Sequence, residues 1–197
     1  MINDALHREL EEMRNEDLRV RDELVTSGRI DGHYDPEMYE LHTRNASRLR
    51  ELIEIHGWPA EDIAGPDGAE AAWLIAQHAI GEPEFQRSAL KMLRACIAEG
   101  RVPPWQAAYL EDRIAMYQNQ PQRYGTQSLD DPQDGRSRPW TLADPKNVDA
   151  IRATVGLQPL PAIPERGPGL PAEKRQALEE NYSWWQDWLT SKGWKHE

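Results

Sequence analysis

A single cysteine, Cys96, leaves the chain without any intrachain disulfide to hold it together. It sits in the apolar pattern L-x-x-L-x-A-C-I, where a thiol behaves as a small buried hydrophobe rather than a nucleophile. Positive charge is also scarce. Lys and Arg number 23 against 34 Asp and Glu, a formal charge of -11, and such an excess repels phosphate backbones and excludes general nucleic-acid binding. No leader pattern is present, and no apolar run approaches the roughly 20 residues that a bilayer requires. The expectation is therefore a soluble cytoplasmic chain with no membrane partner. Several chemical signatures are missing as well. There is no Walker loop or G-x-G-x-x-G for a nucleotide, no G-x-S-x-G elbow for a serine nucleophile, and no C-x-x-C or H-E-x-x-H. His42, His56 and His78 are available imidazoles, but none has metal-ligand spacing, so neither a metal nor another cofactor is expected. Phenylalanine occurs once against eight Trp, so large amphipathic rings must do much of the packing and line cavities or contacts.

What the chain does have is helical periodicity around one apolar stretch. Residues 65–79 read G-P-D-G-A-E-A-A-W-L-I-A-Q-H-A. Asp67 is the expected N-cap, and the alanines beyond it leave almost no polar face, as in a helix buried on all sides. Gln77 and His78 then lie in a protein interior, where each needs a hydrogen-bond partner.

Other helices are expected around this one. Residues 4–27 carry a broken apolar stripe of Leu6, Leu10, Met13, Leu18 and Leu24, with Asp17 and Arg21 as an i,i+4 ion pair on a solvated face. Asp35-Pro36 opens a second helix with Met38, Leu41, Ala46, Leu49, Leu52 and Ile53 inward, His42 and Asn45 near that face, and Gly57 as the stop. Pro83 and Gly100 bracket another helix, and Pro103-Pro104 starts the next, where Asp112 and Arg113 are adjacent charges among apolar neighbours. Short connections make these helices antiparallel neighbours. Residues 122–142 read as a hairpin around an Asp-Gly turn, and Asp144-Pro145 opens a short helix. Proline-rich residues 157–171 form an extended strap. Leu178, Tyr182, Trp185, Trp188 and Leu189 stripe a final helix, which covers either its own bundle or, as an oligomer contact, a partner chain.

The blocks G-W-P at 57–59, G-x-x-G-A-x-A-A-W-L-I-x-Q-H-A at 65–79, A-Y-L-x-D-R at 108–113 and Q-R-Y-G-T-Q at 122–127 together resemble a widespread bacterial domain family of unknown function. The resemblance spans about residues 10–160. It implies no activity, but it does imply that the polar residues within these blocks, His78 and Tyr124 to Gln127 among them, are recurrent parts of one site.

The resulting expectation is an all-α antiparallel helical bundle with a small β-hairpin and a Pro-rich strap leading to a Trp-rich C-terminal helix. Its segments are a helical domain at 1–156, a linker at 157–171 and an amphipathic helix at 172–197. The candidate catalytic pair is His78 as general base with Asp112 fixing its tautomer. Gln77, Trp73, Arg113, Arg123, Tyr124, Thr126 and Gln127 are the candidate ligand-binding residues, with an arginine gripping a carboxylate or phosphate. Two functions fit. One is an enzyme doing acid–base chemistry on a small polar or peptide-like substrate. The other is a non-catalytic interaction module in which the same His, Asp and Arg form a structural network.

Overall fold

The structure is a computed structural model that describes residues 2–29, 33–162 and 165–195. The described residues are mostly helical, with one two-stranded sheet among them. The chain divides into two compact units, Met1–Gln106 and Ala107–Glu197.

The first unit is built from α1 (Asp4–Thr26), α2 (Pro36–His56), α3 (Glu61–His78) and α4 (Pro83–Ala98). Asn3 caps α1 by accepting from the amides of Ala5 and Leu6, and Asp35 caps α2 with Pro36 in its first turn. Helix α3 is the hub, because α1, α2 and α4 all pack against it. Ala71, Ala72, Ile75, Ala76 and Ala79 are buried there. The small side chains let the neighbouring helices approach closely, as the alanine run implies.

Three local expectations are corrected. Asp67 does not cap α3. The break falls at Gly65, whose φ of 72° is left-handed, and Asp67 is exposed in the turn after it. Gly65 is required twice over, since a Cβ there would also lie 3.3 Å from Nδ1 of His7 on α1. That imidazole donates to the carbonyl of Ala64 at 2.7 Å, which ties the two helices at their crossing. On α1, Leu18 is 46% exposed and Val20 takes its place in the core. Asp17 does not form a surface pair with Arg21, because it is 1% exposed.

Helix α3 ends inside the unit, so its last carbonyls need donors from elsewhere. Gln86 of α4 supplies them, its Nε2 donating to the carbonyls of Ala76 and Gln77 at 2.9 Å each. His78, the last residue of the helix, is thereby held in place from behind.

Helix α5 (Pro104–Tyr117) runs into the second unit, which continues with β1 (Ser128–Asp130), β2 (Ser137–Pro139), α6 (Val148–Ala153) and α7 (Ala172–Ser191). The strands pair antiparallel with Leu129 opposite Arg138, around the Asp134-Gly135 turn. Residues 165–170 of the Pro-rich strap are tied to this hairpin. Gly167 N–H donates to Asp134 at 2.9 Å, and Leu170 N–H donates to the Gln133 carbonyl at 2.8 Å. At the end of the chain Trp194 is buried with its ring edge-on to Tyr117. No helix among the described residues is long and apolar enough to cross a membrane.

Candidate functional site

Three helices of the first unit each contribute one polar side chain to a single point. Asp17 comes from the middle of α1, His42 from the second turn of α2 and His78 from the end of α3. The carboxylate oxygen Oδ2 of Asp17 lies 2.9 Å from Nδ1 of His78 and 3.0 Å from Nε2 of His42. Their side chains are 1%, 21% and 9% exposed for Asp17, His78 and His42, so the centre is buried, with His78 its most exposed member. The two imidazoles are 4.9 Å apart, centre to centre, and tilted by 38°. On its far side Nδ1 of His42 is hydrogen-bonded to the hydroxyl of Tyr34. Val20, Leu24, Met38 and Leu41 form an apolar cluster against which Tyr34 packs.

The electrostatics follow from this placement. Burial alone pushes the Asp17 carboxyl upward. The imidazoles of His42 and His78 beside it outweigh that and hold it well below the usual carboxylate range. Asp17 is therefore an anion, and an anion accepts only from a protonated nitrogen. Nδ1 of His78 is accordingly the donor to Asp17, and Nε2 is the ring nitrogen on the other side. His42 contributes differently. Its Nε2 lies close to Asp17 but is not aligned for a hydrogen bond, and the second carboxylate oxygen, Oδ1, has no hydrogen-bond partner.

The sequence-derived candidates separate between the two units. His78 lies in the first, and the carboxylate at hydrogen-bond distance from it is Asp17. Gln77 is buried beside it in the chain. Trp73 donates from Nε1 to the Gln106 carbonyl at 3.0 Å and meets the Trp105 ring edge-on.

Asp112 lies in the second unit, fully buried, and its two oxygens collect the Arg123–Thr126 loop. Oδ1 accepts from the amides of Arg123 at 2.8 Å and Tyr124 at 3.0 Å. Oδ2 accepts from the Thr126 amide at 2.9 Å and the Thr126 hydroxyl at 3.0 Å. The loop is further tied by the side chain of Gln122, whose Nε2 donates to the carbonyls of Gln127 and Trp140. Arg152 donates to the Tyr124 carbonyl at 2.6 Å. Gln127 donates to the Thr126 hydroxyl at 3.1 Å. Arg113 neighbours Tyr117, whose hydroxyl burial pushes above its ordinary range while Arg113 pulls the other way. Arg123 is exposed and lies over the Tyr124 ring. Chemically, this second set is a self-satisfied knot that fixes a loop.

Sequence reasoning left three members of the histidine cluster out of the candidate site: Asp17, Tyr34 and His42, the last noted only as an imidazole without metal-ligand spacing. Asp17 did leave a signal. Leu6, Leu10, Met13, Val20 and Leu24 are buried at alternating steps of three, four and seven, and Asp17 fills the gap in that register. A charge in the core row of an amphipathic helix marks a buried partner.

A family model described as "Family of unknown function (DUF6624)" matches residues 4–164. No curated protein and no solved structure matches the chain. The chain belongs to the DUF6624 family.

Proposed function

We propose that this member of the family is an enzyme that moves protons on a small polar or peptide-like substrate, with His78 at its centre. The family supplies no activity to start from, so the reading stands on geometry alone. The observation that carries it is the buried Asp17 anion holding the His78 ring by Nδ1, which turns the other nitrogen into a base of fixed orientation. Three helices fix the three side chains, and rigid elements keep a catalytic group where a reaction needs it. His78, at 21% the most exposed of the three side chains, is the member of the cluster a substrate would reach first.

A non-catalytic reading has one observation of its own. Asp112, an equally buried carboxylate, makes only internal bonds, so this chain does use buried acids purely for structure. One experiment separates the two. The wild-type chain and His78→Gln are incubated with a panel of nitrophenyl esters, dipeptides and small amides, and both are melted. The catalytic reading expects turnover of at least one class, falling by about 10²–10⁴-fold in a variant that is still folded at the assay temperature. A wild type inert across the panel, with a variant destabilised by about 1–3 kcal/mol, overturns it in favour of the structural network.

A further inference from the structure

We propose that Asp17, His42 and His78 form a binding site for one divalent first-row transition ion. The inference concerns the same three side chains as the catalytic reading and rests on their being its working centre. The ion would take Nδ1 of His78, Nε2 of His42 and the Asp17 carboxylate as ligands, the Nδ1 proton moving to Nε2 of the same ring, and an ion-held water would then replace that Nε2 as the group that takes the substrate's proton.

Distance is the first support. Two ligand atoms each about 2.1 Å from an ion and at right angles to one another are ~3.0 Å apart. The carboxylate oxygen stands 2.9 and 3.0 Å from the two imidazole nitrogens, and the three donor atoms all lie within 4.8 Å of one another.

The second support is unused donor capacity in a buried place. Nε2 of His42 is directed away from a hydrogen bond with Asp17 despite its closeness, and Oδ1 of the 1%-exposed Asp17 has no partner. Buried polar atoms are rarely left so. A cation among the three groups accounts for both.

The outer contacts fit as well. An imidazole that ligates a metal usually bonds an oxygen through its other ring nitrogen, as His42 does with Tyr34. His78 closes α3, and the C-terminal end of a helix favours positive charge. Two imidazoles and one carboxylate, with the remaining positions open, are the donor set of first-row transition ions rather than of calcium or magnesium.

The test is a titration of the full chain, stripped by a chelator, with Zn2+ followed by calorimetry and with Co2+ followed by its visible spectrum. The expected result is one ion per chain and a Co2+ band of reduced symmetry. His78→Gln and His42→Gln should each weaken Zn2+ by more than about 100-fold, Tyr34→Phe by about 10–100-fold, and His56→Gln not at all. Circular dichroism checks that each variant is folded. Because His78 is partly exposed, His78→Gln carries the decision if a variant at a buried position fails to fold.

Absence of stoichiometric Zn2+ binding, or binding unmoved by His78→Gln, overturns the metal site. Turnover unaffected by the chelator overturns the metal's part in the reaction while leaving the acid–base reading standing. Binding with no turnover overturns the acid–base reading alone.

Discussion

Replacing Asp112 with Ala removes the one acceptor group that organises the 123–126 loop, and its cost can be worked out donor by donor. Four groups give to the carboxylate: the amides of Arg123, Tyr124 and Thr126, and the Thr126 hydroxyl. The bond from Tyr124 is wholly buried, so losing its acceptor costs about 1–3 kcal/mol. The other three donors are only partly buried and can recruit water, so each loses a net bond of about 0.5–1.5 kcal/mol. Allowing for non-additivity within one network, the total is about 4 kcal/mol. In a chain of this size that lowers the melting temperature by ~8–16 °C.

Asp112→Asn should lose roughly half as much, because its carbonyl oxygen still accepts while its NH2 faces donors. Thermal melts followed by circular dichroism give both values, and amide exchange at Tyr124 and Thr126 localises the effect. A loss below about 1 kcal/mol for Ala would refute the loop-lock reasoning. So would a loss that leaves those amides as protected as before.

Three further outcomes can be checked with simple assays. Burial pushes the Cys96 thiol up, and Arg101 opposes this only partly, so iodoacetamide at pH 8 should label the folded chain far more slowly than the denatured one; equal rates would contradict its placement. Hydrogen bonds from Arg138, then from the Gly167 amide, hold Asp134 well below the usual carboxylate range. A depressed carboxyl contributes stability above its unfolded value near ~3.9 and loses it only as pH falls through the lower folded value. The Gly167 amide resonance should therefore stay fixed from pH 7 to about 4 and move only below, and a midpoint near ~3.9 would refute the pairing. Gly125→Ala should cost about 2 kcal/mol in a denaturant melt, from its φ of 67° together with a Cβ that would sit 2.9 Å from Leu160; an unchanged midpoint would mean the strap yields freely there.

The helical architecture was legible because its signals are local. Asp35-Pro36 and Gly57 mark the ends of α2 without reference to anything distant, and the alanines of α3 identify the hub by their lack of a polar face. Gly65 was harder. The sequence reads as a helix capped by Asp67, and only the left-handed φ of Gly65 and the close approach of His7 reveal a kink within a longer one.

The site was half legible. His78 stands out because a polar ring follows an apolar run. Asp17 was read as a surface ion because charge weighs against burial when a helix is considered alone. Its burial is sustained by two imidazoles, one of them 61 residues away, and nothing in the neighbourhood of residue 17 encodes that distance. Asp112 shows the same limit from the other side. Its partners are mainly backbone amides, which every sequence possesses and which leave no mark in it.

The centre can be examined most directly by long-range 1H–15N spectra of the chain labelled in its histidine rings, recorded without added metal. His78 should show a protonated Nδ1 and an unprotonated Nε2, and Asp17→Asn should shift the Nδ1 signal. A His78 ring protonated at Nε2, or one indifferent to the change at Asp17, would contradict the anchored base on which the functional reading stands.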